Sequence, residues 1–255
     1  MLGTNNKFIC IAGKNQCSVE FVKFLIKKID KKYILICPND SDSGHDNWQP
    51  SLKKFARKNK IKITTLKKLY KIKNLIFISI EFEKIININL FKSSELYNFH
   101  FSILPKFRGC HTNFYQVLYG EKKIGVTLHK IDNGIDTGPI GPIITFKQNF
   151  KDNARNNYVK LMKFAVKLFK REFLYILNNK ITFVRQNIKK GSYFSRKSIN
   201  YNNIKFIKKI NNNMKTYNLI RSLIFPPFQY PIFNDKEIGE VIYKNKKIVL
   251  KYLYD

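Results

Sequence analysis

The chain has 255 residues, 44% of them hydrophobic and 15% aromatic, enough apolar content to build a core and too much for a largely disordered chain. Its formal net charge is +31, but the lysines are spread from Lys7 to Lys251 among Asn, Ile and Tyr; that dispersion argues against a nucleic-acid interface and suits attraction of an anionic substrate. No apolar run is long enough to span a bilayer and the N-terminus lacks a signal-peptide pattern, so a cytoplasmic protein without membrane contact is expected.

Residues 8–13 form a short apolar run closed by Gly13. Ser18 is the expected cap of a helix reaching about Ile29, because Val19, Val22, Leu25, Ile26 and Ile29 recur at helical spacing. Residues 33–37 read as a second buried strand, closed by Pro38-Asn39-Asp40. A polar loop over 41–47 leads to Trp48 and a helix over about 50–60. Runs at 61–64 and 75–80 are further strands, as are 125–129 and 140–146, and a long helix follows over about 153–179. From Gly191 the chain becomes rich in Tyr and Asn, then closes with a hairpin of 241–243 against 248–250 through Lys244-Asn245-Lys246-Lys247. Cys10, Cys17, Cys37 and Cys110 form no Cys-x-x-Cys pair and read as buried free thiols, so no metal site is expected.

Continuous apolar strands alternating with helices indicate an α/β fold: a Rossmann-like, parallel sheet with helices on both faces. The expected organisation is a catalytic domain over 1–187 and a small C-terminal module over 188–255 that ends in the hairpin. In such sheets ligands sit beyond the C-terminal strand ends, where Gly13, Ser79 and His100 fall. No Gly-x-Gly-x-x-Gly follows the first strand, which excludes the usual dinucleotide fingerprint.

Two segments carry the chemistry. Asn98-Phe99-His100-Phe101-Ser102-Ile103-Leu104-Pro105 places an amide and an imidazole two residues apart, on one face of a strand. Ile131-Asp132-Asn133-Gly134-Ile135-Asp136-Thr137-Gly138 adds carboxylates in a double-glycine loop. Read alone, His100 is more often a structural histidine, and Asp132 or Asp136 equally a turn-forming aspartate. Together, an amide, an imidazole and a carboxylate can polarise a carbonyl and move a proton, as acyl transfer to an amine requires.

These segments resemble the formyltransferase family that uses 10-formyltetrahydrofolate. The likeness rests on Asn98-x-His100, Ser102-Ile103-Leu104-Pro105, Arg108-Gly109, Gly125-Val126-Thr127 and Asp132 through Gly138. Ile103 replaces a usual Leu, and Phe101 a common Pro. The resemblance implies Asn98, His100 and Asp136 as the catalytic trio, with Asp136 favouring the charged imidazole. It implies a reduced folate along Ser79, Ile80, Glu81 and Phe82 and the loop from Ile131 and Asp132, with Ser102, Ile103, Leu104 and Pro105 lining the same cleft.

The tail from Arg221 through Phe225-Pro226-Pro227-Phe228 to Tyr230, and the loop Trp48-Gln49-Pro50, are similar to the nucleotide-sugar N-formyltransferase branch. That resemblance implies a dTDP-linked amino-dideoxy sugar as acceptor, a 3-amino-3,6-dideoxyhexose in preference to a 4-amino one, and a role in surface-glycan synthesis; the aromatic tail suits a homodimer contact, with a ligand-stacking wall as the competing reading. Gly13, Lys14, Asn15, Trp48, Lys106, Phe225 and Tyr230 are the candidate sugar-nucleotide contacts, although a plain turn explains residues 13–15 equally well. The competing readings are an initiator methionyl-tRNA formyltransferase and a non-enzymatic, basic nucleic-acid-binding protein.

Overall fold

The computed structural model describes residues 2–254. In chain order, β1 (Phe8–Gly13), α1 (Asn15–Ile26), β2 (Ile34–Pro38), α2 (Leu52–Lys58), β3 (Lys62–Ile63), α3 (Leu66–Leu69) and β4 (Leu75–Ile80) build the first half. Then come β5 (Glu95–His100), β6 (Arg108–Gly109), α4 (Thr112–Leu118), β7 (Lys123–Lys130), β8 (Ile140–Lys147) and α5 (Ala154–Leu177). The remainder holds β9 (Tyr193–Phe194), α6 (Tyr201–Ile204), α7 (Met214–Leu223), β10 (Ile232–Phe233), β11 (Lys236–Lys244) and β12 (Lys247–Tyr252).

Seven strands form one sheet in the order β3-β2-β1-β4-β5-β7-β8. The pairs from β3 to β5 are parallel, as the apolar runs predict, but β7 is antiparallel to β5 and β8 to β7. The sheet is therefore mixed rather than wholly parallel, because β7 and β8 are joined directly by a loop with no crossover helix. Side chains alternate between two cores. Ile9, Ile11, Ile76 and Ile78 point to the face covered by α1, α2 and α5, and Cys10, Ala12, Leu75 and Phe77 to the other. On the first face Phe21 of α1 stacks on Phe169 of α5 with ring centroids 4.1 Å apart, an aromatic contact that locks the two helices together.

Two helix ends differ from expectation. The first helix starts at Asn15 behind Lys14, and the Ser18 hydroxyl, rather than capping, donates back to the Lys14 carbonyl at 2.8 Å. The helix ends at Ile26, short of Ile29. The closing hairpin is tighter than predicted: Lys244 pairs with Lys247, and the two-residue turn Asn245-Lys246 has positive φ at both positions.

A second apolar cluster joins Phe107, Phe114 and Tyr115 to Tyr217, Ile220, Leu223 and Ile238, and β9 adds to β6. Residues on both sides of position 188 thus share one core. Among the described residues, no helix is long and apolar enough to cross a membrane, and the four cysteines are free.

Gly13 sets how closely β1 approaches β4. A Cβ there would lie 2.0 Å from the Ile80 carbonyl oxygen, and backbone cannot yield as a flexible side chain would. Gly13→Ala is expected to destabilise the protein by about 3 kcal/mol or more, read by chemical denaturation.

Candidate active site

The parallel register sets Gly13 beside Pro38 and Ile80, and Ser79 beside Asn98, at one end of the sheet. The antiparallel register of β7 then puts His129 directly across from Asn98, and Thr127 across from His100. The loop after β7 folds back so that Asp136, at a left-handed φ of 54°, reaches Asn98, His100 and His129. Its Oδ2 lies 3.4 Å from His100 Nδ1, and its Oδ1 3.4 Å from His129 Nε2. Asn98 Nδ2 donates to Asp136 Oδ1 at 3.2 Å, and the Gly109 amide donates to Asp136 Oδ2 at 2.8 Å. Gly109 needs its φ of 87°, and a Cβ there would meet the Phe194 carbonyl oxygen at 2.2 Å. Gln186 Nε2 pins the loop backbone by donating to the carbonyls of Asp136 and Gly138.

Hydrogen bonds fix the proton positions. His100 Nε2 lies 2.7 Å from the Phe107 carbonyl, which only accepts, so Nε2 carries the proton and Nδ1 is the free base of the neutral ring. Burial lowers the His100 pKa below the ordinary histidine value; the Asp136 charge and the Phe107 carbonyl oppose that shift without cancelling it, and His129 adds to it. The resting imidazole is therefore neutral near pH 7, and not the charged form that Asp136 alone favours. Burial would raise the Asp136 pKa, but positive charge on His100 and His129 whenever either ring is protonated, together with the hydrogen bond from the Gly109 amide, outweighs it and holds the carboxyl well below the usual carboxylate range. An anion thus waits beside a neutral base, and a proton arriving on Nδ1 would gain that ion pair.

Asn98 is oriented from three sides. Its Oδ1 accepts from the Ser79 hydroxyl at 2.8 Å, and its Nδ2 donates to Asp136 and, at 3.1 Å, to His129 Nε2. His129 Nδ1 is committed to the Lys130 carbonyl at 2.7 Å, which leaves Nε2 as the acceptor. His129 is thus a positioning residue absent from the sequence-based set. Its alternation with Thr127 on one strand face is a local signal, but its partner is chosen by cross-strand register. His129→Leu removes the acceptor and is expected to lower kcat about a hundredfold with little change in KM, since a small misplacement of a reacting group costs that much. Gln, which keeps an acceptor, should recover part of the loss in steady-state assays.

The trio opens on a cavity of about 850 Å³. Ser79, Glu81, Phe82, Ile131 and Asp132 line it, and Lys84, Arg196 and Lys197 add positive charge. Asp132 also closes its own turn, accepting from the Gly134 amide and the Thr137 hydroxyl. Ile80 is fully buried in the core. Ser102, Ile103, Leu104 and Pro105 stand behind the cavity wall: the Thr127 hydroxyl donates to the Ser102 carbonyl and accepts from the Leu104 amide. An apolar slot beside the trio with cations near it fits a flat, anionic-tailed reduced folate, whose formyl carbon would supply the electrophile.

A second cavity of about 400 Å³ is lined by Lys14, Asn15, Trp48, Phe225 and Phe228. The Trp48 and Phe228 ring centroids are 5.2 Å apart, edge to face. Lys106 lies outside both cavities, 3.6 Å from Glu121; Gly13 is structural, and Tyr230 packs on the second apolar cluster. Arg221 is buried and ties α7 to the Asp152 and Val117 carbonyls. The two cavities share Lys14, Glu81 and Tyr158.

Comparison with known proteins gives this geometry a family. The formyl transferase family model matches residues 21–149. The chain is 38% identical to WlaRD, a sugar 3N-formyl transferase whose crystal structure was determined in the presence of dTDP and 5-N-formyl-THF; the match covers 98% of both chains with a TM-score of 0.92. It is 39% identical to an N-formyltransferase from Helicobacter canadensis in complex with folinic acid and dTDP-3-aminofucose, over 92% of this chain and 87% of that one, with a TM-score of 0.87. It is 32% identical over 234 residues to the bifunctional polymyxin resistance protein ArnA of Wigglesworthia glossinidia brevipalpis. That match takes in 87% of this chain, which spans about a third (35%) of the ArnA length. On these matches the chain belongs to the formyl transferase family.

Proposed function

We propose that the protein transfers a formyl group from 10-formyltetrahydrofolate to the amine of a dTDP-linked 3-amino-3,6-dideoxyhexose. It does so in the cytoplasm, as a homodimer, and the product feeds surface-glycan synthesis. The observation that carries the reading is the likeness to the sugar 3N-formyl transferase along 98% of both chains, tail included. The paired cavities support it, since an aromatic-walled pocket suits a base and the neighbouring trio suits formyl chemistry.

In this reading Asn98, His100 and Asp136 are the catalytic groups. Asn98 Nδ2 steadies charge growing on the formyl oxygen, exchanging its contact with Asp136 Oδ1 for that oxygen. His100 Nδ1 takes the proton released as the sugar nitrogen bonds to carbon and gives it to the folate nitrogen as the bond from formyl carbon to N10 breaks, while Asp136 balances the imidazolium between the two transfers. Ser79 and His129 hold the amide in place throughout.

Incubation with 10-formyltetrahydrofolate and a panel of dTDP-3-amino and dTDP-4-amino sugars tests the reading by mass. A 28 Da gain, the mass of the formyl group less the hydrogen it replaces, is expected on the 3-amino sugars. Formylation of charged initiator tRNA with no sugar product would overturn the choice of acceptor.

A further inference from the structure

Glu81 lines both cavities and carries a carboxylate oxygen with no partner among the described residues. It follows β4 at a left-handed φ of 53°, and Asn39 Nδ2 secures that backbone by donating to the Glu81 carbonyl at 2.9 Å. A non-glycine residue in that conformation costs energy that the surroundings must offset, and such residues gather at functional sites. Its Oε1 accepts from the Tyr158 hydroxyl at 2.5 Å. Tyr158 in turn accepts from Gln49 Nε2 and Asn15 Nδ2, each at 3.2 Å, so its own hydrogen has one destination. Oε2 is shut away from solvent and meets no donor among the described residues. Buried carboxylate oxygens are as a rule hydrogen-bonded, so one without a donor among the described residues calls for an explanation.

Building on the proposed acceptor, we infer that Glu81 Oε2 receives the sugar's ammonium and takes one proton from it. The nitrogen then meets the formyl carbon as a free amine. The base in the Trp48 cavity and the amine beside His100 require the sugar to cross the boundary that Lys14, Glu81 and Tyr158 line. An amine of ordinary basicity arrives there protonated at neutral pH and has no lone pair for attack. The step moves one proton: an N–H bond breaks, an O–H bond forms on Oε2, and ammonium plus carboxylate become amine plus carboxylic acid. The second proton leaves the nitrogen after attack and goes to His100 Nδ1. Glu81 returns its proton to water when the product departs.

The groups facing Glu81 suit that task. Burial pushes its pKa up to about 7, while the Tyr158 hydrogen bond and the Lys14 charge pull it down. From α1, the Cys17 thiol is itself pushed well up by burial and stays neutral. A carboxyl with that affinity gains and loses a proton readily near neutrality.

Glu81→Gln keeps an acceptor for Tyr158 but cannot take a proton. The rate of formyl transfer to the dTDP-3-amino sugar, measured as kcat/KM from pH 5.5 to 9.5, is expected to fall about a hundredfold near pH 6.5, the scale of general-base catalysis. By pH 9, where solution supplies the free amine, the loss should shrink to a few fold. An equal loss at every pH, or none, would overturn the inference. Circular dichroism and the melting temperature check the fold. Should the variant not fold, Tyr158→Phe decides: removing the hydrogen bond that lowers the Glu81 pKa must move the acid limb of the wild-type profile to higher pH, and an unmoved limb overturns the assignment. Wild-type protein that formylates no amino sugar would instead remove the proposed acceptor, and the inference with it.

Discussion

Replacing His100 by Asn is expected to lower kcat about 10³-fold while leaving the fold intact, the loss typical of removing a general base from a buried site. The Asn side chain ends level with Nδ1, short of the Nε2 position, so the bond to the Phe107 carbonyl goes with the ring. Also lost is Nδ1, the basic atom 3.4 Å from Asp136. Turnover measured by mass shift, beside an unchanged circular dichroism spectrum, checks this. A variant with more than a tenth of wild-type activity would remove His100 from the mechanism.

The same substitution changes how stability depends on pH. The unfolded chain's imidazole binds a proton below about pH 6.5, whereas the buried native one resists it. Protons therefore favour the unfolded state, and this contribution, complete above that pH, is lost as the solution is acidified. The slope is at most about 1.4 kcal/mol per pH unit for one group. Glu81 works in the opposite sense, because its raised affinity for a proton stabilises the native state below about pH 7. Denaturation midpoints of wild type and His100→Asn, compared between pH 5 and pH 7.5, isolate the histidine: the variant should lose less stability on acidification.

Asp136→Asn is expected to cost about 10³- to 10⁴-fold in kcat, as when the carboxylate behind a catalytic imidazole becomes an amide. The volumes match, so packing is not the cause. Asp136 accepts from Asn98 and from the Gly109 amide and faces two imidazoles. An amide oxygen can keep the Gly109 bond, but its NH₂ then points at the NH₂ of Asn98. Two donors cannot share that contact, so Asn98 turns away from the formyl oxygen just as the counter-ion of His100 is lost. Folate affinity, read by fluorescence quenching, should change only a few fold. A large fall in affinity with kcat preserved would show a binding role in place of a catalytic one.

Much of the fold is legible along the chain. Residues 8–13 and 75–80 were read at their observed bounds, because uninterrupted apolar runs between turns leave a buried strand as the only reading. The long helix starts at Ala154 behind an Asn153 capping box, within a residue of where the pattern begins. By contrast α4 escaped notice: it is seven residues long and opens behind a left-handed His111, without a capping side chain. The segment around Arg221 read as an aromatic tail, yet Arg221 sits inside α7 with its charge spent on backbone carbonyls. A short amphipathic helix packed on α4 gains stability from that contact and not from its own pattern.

The sequence alone determined the chemistry available to this protein: an amide and an imidazole one strand-repeat apart, and a carboxylate in a loop that two glycines allow to turn tightly. Local spacing suffices there because a strand places alternate side chains on one face whatever surrounds it. Only the tertiary structure decided which atoms act. The antiparallel register brought His129 to Asn98, the Phe107 carbonyl assigned the His100 proton to Nε2, and burial outweighed Asp136 in setting its charge. It also joined Glu81 to Tyr158, 77 residues away, where both line two cavities, and left one oxygen of that carboxylate buried without a partner among the described residues. Proton positions and affinities depend on distance and dielectric, which chain order does not encode, so they emerge only when remote segments share one buried space.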